Sequence, residues 1–511
     1  MNLPLLESSL AHTSACMWPE TGHTRTVAGT EPLFPSRAPG AGEQYRFHFD
    51  MRACIGCKCC VVACNEQNGN PAAIQWRRVG EVEGGHFPLA RRYHLSMGCN
   101  HCLEPSCLIG CPVEAYTKSP ETGIVLHSAD TCIGCQYCVW NCSYGVPQYN
   151  PERGVVGKCD LCHHRLSDGL APACAAACPE TAIRIEIVNI DQWRQDYLAA
   201  DAPGLPSAHD SISTTRISVP GDAPPDTGRV DTQRIQPEPP HWPLVFMLVL
   251  TQLSVGAFTA LWWLDAAGAR RGLGGSALAA FAVAAVSLSA SLLHLGRPVH
   301  AWRALRGWRR SWLSREILGL STFAGVASLF AAMLYFQVPG RGPIGLLTAL
   351  AGALGIFCSA RIYMVNARPA WNSHQTAVEF YATALLLGPL FVHALGIADH
   401  RSLRYAAIAG AAAQLLVQSL RFLKLARSEQ FELRASAILL SGRFQTQFLL
   451  RLGTLIAAGI VLPLVDAGRP AAIFTLLLAL AGECLGRWLF FVSVVPKNIA
   501  AAFTAASRRA A

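Results

Sequence analysis

Charge is scarce in this sequence. Only 15% of its 511 residues are Asp, Glu, Lys or Arg, against 51% hydrophobic, and mean hydropathy is +0.29. That balance excludes a disordered chain and an ordinary soluble enzyme, and asks for membrane spans. Acids nearly vanish after residue 242, where 8 remain beside 24 Lys/Arg. The basic excess therefore lies in the apolar half, which points to membrane topology and away from a nucleic-acid partner. Cysteine is scarce in the same half: 18 of the 20 fall within residues 1–178. The N-terminal stretch MNLPLLESSL has no basic segment followed by an apolar core. No Arg-Arg pair precedes Arg77-Arg78, so neither a secretory nor a twin-arginine signal is read.

What is present divides the chain into four parts. Residues 1–44 are rich in Gly, Pro, Ser and Thr without a period, and read as an irregular arm. Residues 45–198 hold the cysteine clusters between short β-like runs. Residues 199–242 are Pro- and Asp-rich and read as a partly extended linker. From 243 to 511 eight apolar stretches are each long enough to span about 30 Å of hydrocarbon. They run near 243–264, 274–294, 316–336, 342–362, 376–397, 403–423, 447–465 and 470–492. The seventh is the weakest, with Arg451 inside it and Pro463 near its end. Eight spans return both ends of this half to one side, the side of the cysteine domain. That side carries 15 Lys/Arg in its loops and tail against six opposite. The positive-inside rule then expects a multi-pass protein of the cytoplasmic membrane with its cysteine domain in the cytoplasm.

The cysteines form four runs. These are Cys54-x2-Cys57-x2-Cys60-x3-Cys64, Cys99-x2-Cys102-x4-Cys107-x3-Cys111, Cys132-x2-Cys135-x2-Cys138-x3-Cys142 and Cys159-x2-Cys162-x11-Cys174-x3-Cys178. The first and third share Cys-Ile-Gly-Cys, the trace of a duplicated module. Cysteines three apart in a tight loop aim three thiolates at neighbouring irons of a cubane. The last cysteine of each run points elsewhere, as in two-cluster ferredoxins, where it ligates the other cluster. Gly56 and Gly134 let backbone N–H groups approach inorganic sulfur. Structural zinc uses Cys-x2-Cys pairs but leaves four x3-Cys endings unexplained. Disulfides want a secreted framework. Sixteen cysteines supply four [4Fe–4S] clusters. Cys16, Cys59, Cys358 and Cys484 are left over; Cys59 reads as a bystander inside the first run.

On these residues the chain resembles the complex iron–sulfur molybdoenzymes of the DMSO reductase family. CIGCKCCVVAC, CNHCLEPSCLIGCP, CIGCQYCVWNC with YGVPQYN, and KCDLC…CAAACP are similar to the family's four-cluster ferredoxin subunit. HLGRP with SWLSREIL, ARIYMVNARPAW and GECLGRWLFF are similar to its membrane anchor. The resemblance implies an α+β double ferredoxin-like iron–sulfur domain fused to an all-α eight-helix transmembrane bundle. It implies that run one pairs with run four and run two with run three, the second pair nearer the membrane. Cys135 stands where some relatives carry Trp, so four cubanes are expected. Ser143 departs from a usual Pro and leaves ligation untouched. The implied role is an electron-transfer and anchor subunit between the quinone pool (menaquinone or ubiquinone) and a separate Mo-bis-pterin catalytic subunit, for which no domain is read in this sequence. The stretch NEQNGNPAAIQWRRVGEVEGG is similar to a branch that oxidises sulfite and delivers electrons to quinone. A polysulfide-reductase-type anchor coupled to proton movement is a third reading. It needs a polar path across the bilayer, for which the far halves offer Asp265, His393, Asp399 and Asp466.

Ionisable residues inside spans default to functional candidates. His294 closes the second span, Glu316 opens the third, Arg361 closes the fourth and Glu379 opens the fifth. These four are the expected quinone site, with His294 taking a quinol proton and Glu316 relaying it. Each also has a plainer reading: an interfacial histidine, a carboxylate favouring a helix N-terminus. Haem would need two facing histidines; His294 and His393 sit near opposite ends of their spans, and His374 alone is near His294. Glu483 and Arg487, four apart, read as an ion pair. The basic loop Arg297–Arg310 is expected to serve topology and to dock the acidic half.

Overall fold

The computed structural model describes residues 32–230, 235–269, 271–396, 401–465 and 468–498. Residues 1–31 of the N-terminal arm, Cys16, Asp399 and Asp466 lie outside the described residues.

The cysteine half is built of short elements. β1 (Glu43–Asp50) pairs antiparallel with β8 (Ile183–Asn189) and, on its other edge, parallel with β9 (Arg216–Ser218). Alternate β1 residues Tyr45, Phe47 and Phe49 enter the core with Ile183 and Ile185. β2 (Arg78–Gly84), β3 (Arg91–Met97) and β10 (Gly228–Arg229) make a second sheet in the order β10-β2-β3. Two small hairpins complete it, β4 (Tyr116–Lys118) with β5 (Val125–His127) and β6 (Gln148–Asn150) with β7 (Val155–Gly157). Six short helices, α1 (Cys59–Asn68), α2 (Ser106–Gly110), α3 (Tyr137–Asn141), α4 (His163–Ser167), α5 (Ala173–Ala176) and α6 (Ile190–Asp196), lie among the cysteine runs or just after them.

The 199–242 stretch differs from the expected linker. It carries β9 and β10, so it closes one edge of each sheet. Its Ser and Thr side chains explain why. Thr214 donates to the Asn100 carbonyl at 2.6 Å, Thr215 to the Asn100 side chain at 2.8 Å and Ser211 to the Cys102 sulfur at 3.1 Å. Loops around a cysteine run have no ladder of their own, and a polar strap satisfies their backbone groups.

The second half has eight helices long and apolar enough to cross a membrane. They are α7 (Trp242–Ala266), α8 (Leu273–His294), α9 (Trp312–Tyr335), α10 (Gly342–Tyr363), α11 (His374–Ala394), α12 (Arg401–Ala426), α14 (Gln445–Leu464) and α15 (Gly468–Val492); the short α13 (Phe431–Ser441) precedes α14. In lipid there is little hydrophobic drive between helices, so close packing of small residues takes over. At the α7–α11 crossing a methyl added to Gly256 would lie 2.8 Å from the Ala384 carbonyl carbon, so the two backbones touch. In α14 a π turn at Ala457–Val461 precedes Pro463. A proline lacks the N–H for the helical bond and crowds the carbonyl one turn back, and the wider turn absorbs that conflict.

Candidate functional site: cysteine sets and the membrane junction

The cysteine runs are held by repeated backbone geometry. Gly56 and Gly134 have φ of +71° and +69°, and Lys58 and Gln136 have φ of 63° and 59°. Left-handed residues at two matched positions turn successive N–H groups toward one point, which makes an anion-binding nest. Gly134 N–H lies 3.4 Å from the Cys132 sulfur, Leu161 N–H 3.4 Å from Cys159, and Ala115 N–H 3.3 Å from Cys111. α1 and α3 start directly after these turns.

The thiols gather in four sets, each exchanging its last member. Cys54, Cys57 and Cys60 neighbour Cys178, around an open pocket of about 320 Å³. Cys159, Cys162 and Cys174 neighbour Cys64. Cys99, Cys102 and Cys107 neighbour Cys142, around a pocket of about 420 Å³. Cys132, Cys135 and Cys138 neighbour Cys111. Burial, and then neighbouring thiols, push Cys102 up to about 12; burial likewise carries Cys54 to about 11. Such thiols become thiolates only beside a strong compensating cation, which bound iron supplies. Four convergent sulfurs, nests of N–H groups and cavities of this size fit iron–sulfur clusters. Cys59 is exposed and stands outside the sets, its free thiol beside that of Cys57.

Two buried cations sit among the sets. Arg77 donates to the Ser96 carbonyl at 3.1 Å and faces Cys174, Cys60, Cys159 and Cys64. Burial opposes its charge, but the surrounding thiols outweigh this and raise its pKa. Lys158 donates to the carbonyls of Cys159, at 2.8 Å, and of Val125, and faces Cys99. The sequence reading did not single out either; a basic residue beside a cysteine run was the available signal.

The set built on the third run, Cys132, Cys135 and Cys138 with Cys111, meets the membrane half. The HLGRP turn lies on the third run: Arg297 N–H donates to the Ile133 carbonyl at 3.1 Å and its guanidinium to the Ala129 carbonyl at 2.9 Å. A methyl on Gly296 would lie 2.7 Å from the Gly154 carbonyl carbon and from the Tyr149 hydroxyl. Arg303 donates to the Asp130 carbonyl at 2.9 Å, and Ser311 to the Gly110 carbonyl at 2.7 Å. The basic loop thus docks mainly on main-chain carbonyls; Arg310 with Glu114 at 2.5 Å is its carboxylate contact among the described residues.

At this junction Trp140, between Cys138 and Cys142, enters a box of His241, His294, Tyr363, Trp371 and Phe491. The His294 ring lies beside the Cys135 main chain, and its Nε2 is buried without a hydrogen-bond partner. Burial pushes His241, just before α7 and 5.3 Å from His294 between ring centroids, down to about 4. His241 and Trp140 were missed by sequence reasoning, because neither lies in an apolar span.

The four expected quinone-site residues separate. Glu316 is buried and faces Tyr137 and Tyr363, close to the His294 box. Arg361 lies over the Trp312 ring at 4.9 Å. Glu379 turns to α12, where Arg421 donates to it at 3.0 Å. The Glu483–Arg487 pair does not form. Glu483 instead bonds Arg451 at 2.8 Å, with Gln414 and Thr383, both at 2.8 Å, completing its shell. Arg487 lies 3.9 Å over the Phe380 ring and donates to Gln252. Spacing along α15 put the two side chains on one face, but a buried charge takes the best-shaped partner on a neighbouring helix. This also explains why the seventh span tolerates Arg451.

These features define an iron–sulfur electron-transfer protein carrying its own membrane anchor. Residues 90–187 match the 4Fe-4S dicluster domain family, and residues 238–492 match the DMSO reductase anchor subunit (DmsC) family. The chain is 41% identical over 176 residues to the probable anaerobic dimethyl sulfoxide reductase chain YnfG of Escherichia coli (strain K12), covering 32% of this chain and 84% of that one. It is 40% identical over 176 residues to a second anaerobic dimethyl sulfoxide reductase chain of the same organism, with the same coverage. It is also 36% identical over 154 residues to a sulfite dehydrogenase subunit of Allochromatium vinosum, covering 26% of this chain and 64% of that one. The chain belongs to the DMSO reductase family, as an iron–sulfur subunit and an anchor subunit joined in one polypeptide.

Proposed function

We propose that this chain connects the quinone pool to a separate Mo-bis-pterin catalytic subunit through four [4Fe–4S] clusters, one in each cysteine set. When bound, the clusters supply a one-electron relay. The observation that carries the reading is the His294 junction: a ring beside the main chain of Cys135, with its Nε2 buried and unpartnered. Burying a polar atom without a partner is costly, and such atoms mark places where a ligand completes the bonding. A quinol hydroxyl at Nε2 would donate to it and pass on its proton as the quinol is oxidised. Glu316 is the nearby carboxylate that accepts protons from this point. Arg361 and Glu379 hold their own helices through Trp312 and Arg421. The Lys/Arg bias supports a cytoplasmic cysteine half at the inner membrane. His294→Ala should abolish quinol-linked turnover while iron content and dye-linked turnover of the complex remain. Unchanged quinol-linked turnover would remove the site.

The similarity to a sulfite dehydrogenase subunit favours a second reading, in which the catalytic subunit oxidises sulfite and electrons run toward quinone. Assaying the purified complex with sulfite and with S- and N-oxides decides between the directions. In both readings quinone chemistry and clusters share one side, so turnover in vesicles should build little potential. A robust uncoupler-sensitive potential would favour the proton-coupled anchor.

A further inference from the structure

A second cavity lies one side chain away from the His294 box. It is about 530 Å³, open on one side, and framed by Gln418, Arg421, Phe422, Phe448, Arg451 and Phe490. Gln418 is 8% exposed and its amide oxygen has no hydrogen-bond partner; Arg451 is 2% exposed and its Nε is likewise unpartnered. The polar groups here are neutral or charge-paired. Arg451 is matched by Glu483 at 2.8 Å, and Arg421 by Glu379 at 3.0 Å. An anionic headgroup would have to compete with those carboxylates. What is left is one acceptor and one donor, between rings. Phe422 and Phe448 stack at 5.6 Å and 29° on one wall, and Phe490 forms another. A neutral flat ring with hydroxyl groups, as in a quinol, meets these needs: a hydroxyl donates to the Gln418 oxygen, and a hydroxyl oxygen accepts from Arg451 Nε.

The back wall leads to the cysteine half. Phe490 stacks on Trp371 at 5.0 Å and 8°, and Trp371 meets Trp140 at 5.6 Å. Trp140 lies between Cys138 and Cys142. The pocket shares no lining residue with the His294 box, and the Trp371–Phe490 stack separates the two.

We propose that this pocket is a second binding site for a quinone-class molecule, independent of His294. The proposal rests on the reading that the anchor works with quinone, and adds a site to it. The test is equilibrium binding of a short-chain naphthoquinone, held in its reduced quinol form, to the full chain in detergent, with iron and phospholipid phosphate measured on the same samples. Wild type should bind two equivalents. Gln418→Leu, which removes the acceptor, and Leu440→Phe, which fills the cavity, should each bind one, with iron content unchanged. His294→Ala should lose the other equivalent. One equivalent in wild type, unchanged in both pocket variants and lost in His294→Ala, would overturn the second site and leave the His294 reading standing. Loss in the pocket variants with no change in His294→Ala would keep the second site and sink the His294 reading. Two equivalents in both pocket variants, or loss of bound phospholipid phosphate instead of naphthoquinone, would also overturn it, the last result assigning the pocket to a lipid headgroup.

Discussion

Replacing Gly296 by alanine tests the junction at its tightest point. The new methyl would lie 2.7 Å from the Gly154 carbonyl carbon and 2.7 Å from the Tyr149 hydroxyl. Carbon atoms in ordinary contact stand about 3.5–4.0 Å apart. The two backbones must therefore part by about 1 Å, at an overpacking cost of about 1–3 kcal/mol. Gly296 lies two residues after His294, which sits beside Cys135, and directly before Arg297, which bonds Ile133. Displacement moves His294, the proposed quinol ligand, away from the set built on the third run. A misplacement of about 1 Å at a reacting centre costs up to about 10²-fold in rate. The assay is quinol-linked turnover of the assembled complex, beside turnover driven by a dye that feeds the catalytic subunit directly. Quinol-linked rate should fall on that order while dye-linked rate and iron per chain hold. Gly275→Ala is the control: nothing lies within 4 Å of its new methyl, and alanine suits a helix. A Gly296→Ala protein with full iron and wild-type quinol-linked turnover refutes the account of the junction.

Cys178→Ser should abolish the same electron paramagnetic resonance signal as Cys54→Ser, and Cys64→Ser the same one as Cys174→Ser; signals sorting by run along the chain would contradict the exchanged sets. Arg451→Leu leaves Glu483 buried and uncompensated, so thermal unfolding in detergent should show a loss of about 3–5 kcal/mol, recovered largely in Arg451→Leu/Glu483→Leu; equal losses in both would count against a coupled pair. Burial pushes Glu186 up, but His48 and Arg46, each at 2.7 Å, overcome it and hold the carboxylate at about 2. A depressed carboxylate stabilises the fold fully above its unfolded value of about 4.5 and loses that contribution as pH falls toward 2. Acid unfolding of the cysteine half should accordingly weaken its dependence across that window in Glu186→Gln, and an unchanged profile would exclude the ion pair as a contributor.

Much of the architecture was legible in the chain because its signals are local. The eight helices follow apolar runs within a few residues of their expected ends, and the cysteine spacing marks the loops that the left-handed residues form. Long-range choices were not legible. Nothing local tells Glu483 to choose Arg451 over Arg487. Thr214 and Thr215 read as linker because their partner, Asn100, lies over a hundred residues earlier. Trp140 and His241 look ordinary until the two halves meet. Of the quinone-site candidates, the structure keeps His294 and Glu316 near one aromatic box and sends Glu379 to another helix. Position along each helix was readable, but rotation about each helix axis was not.

The docking loop also makes access to the cysteine sets unequal. Cys132 and Cys138 are buried, and Arg297, Gly296 and Arg303 close over the segment that carries them. Tyr137 and Trp140 of the same segment belong to a core shared with the membrane helices. Cys132 and Cys138 are therefore shielded where the two halves meet, whereas Cys57, in the first run, stays exposed. The two ends of the cysteine half thus differ in how readily a solute reaches their sulfurs.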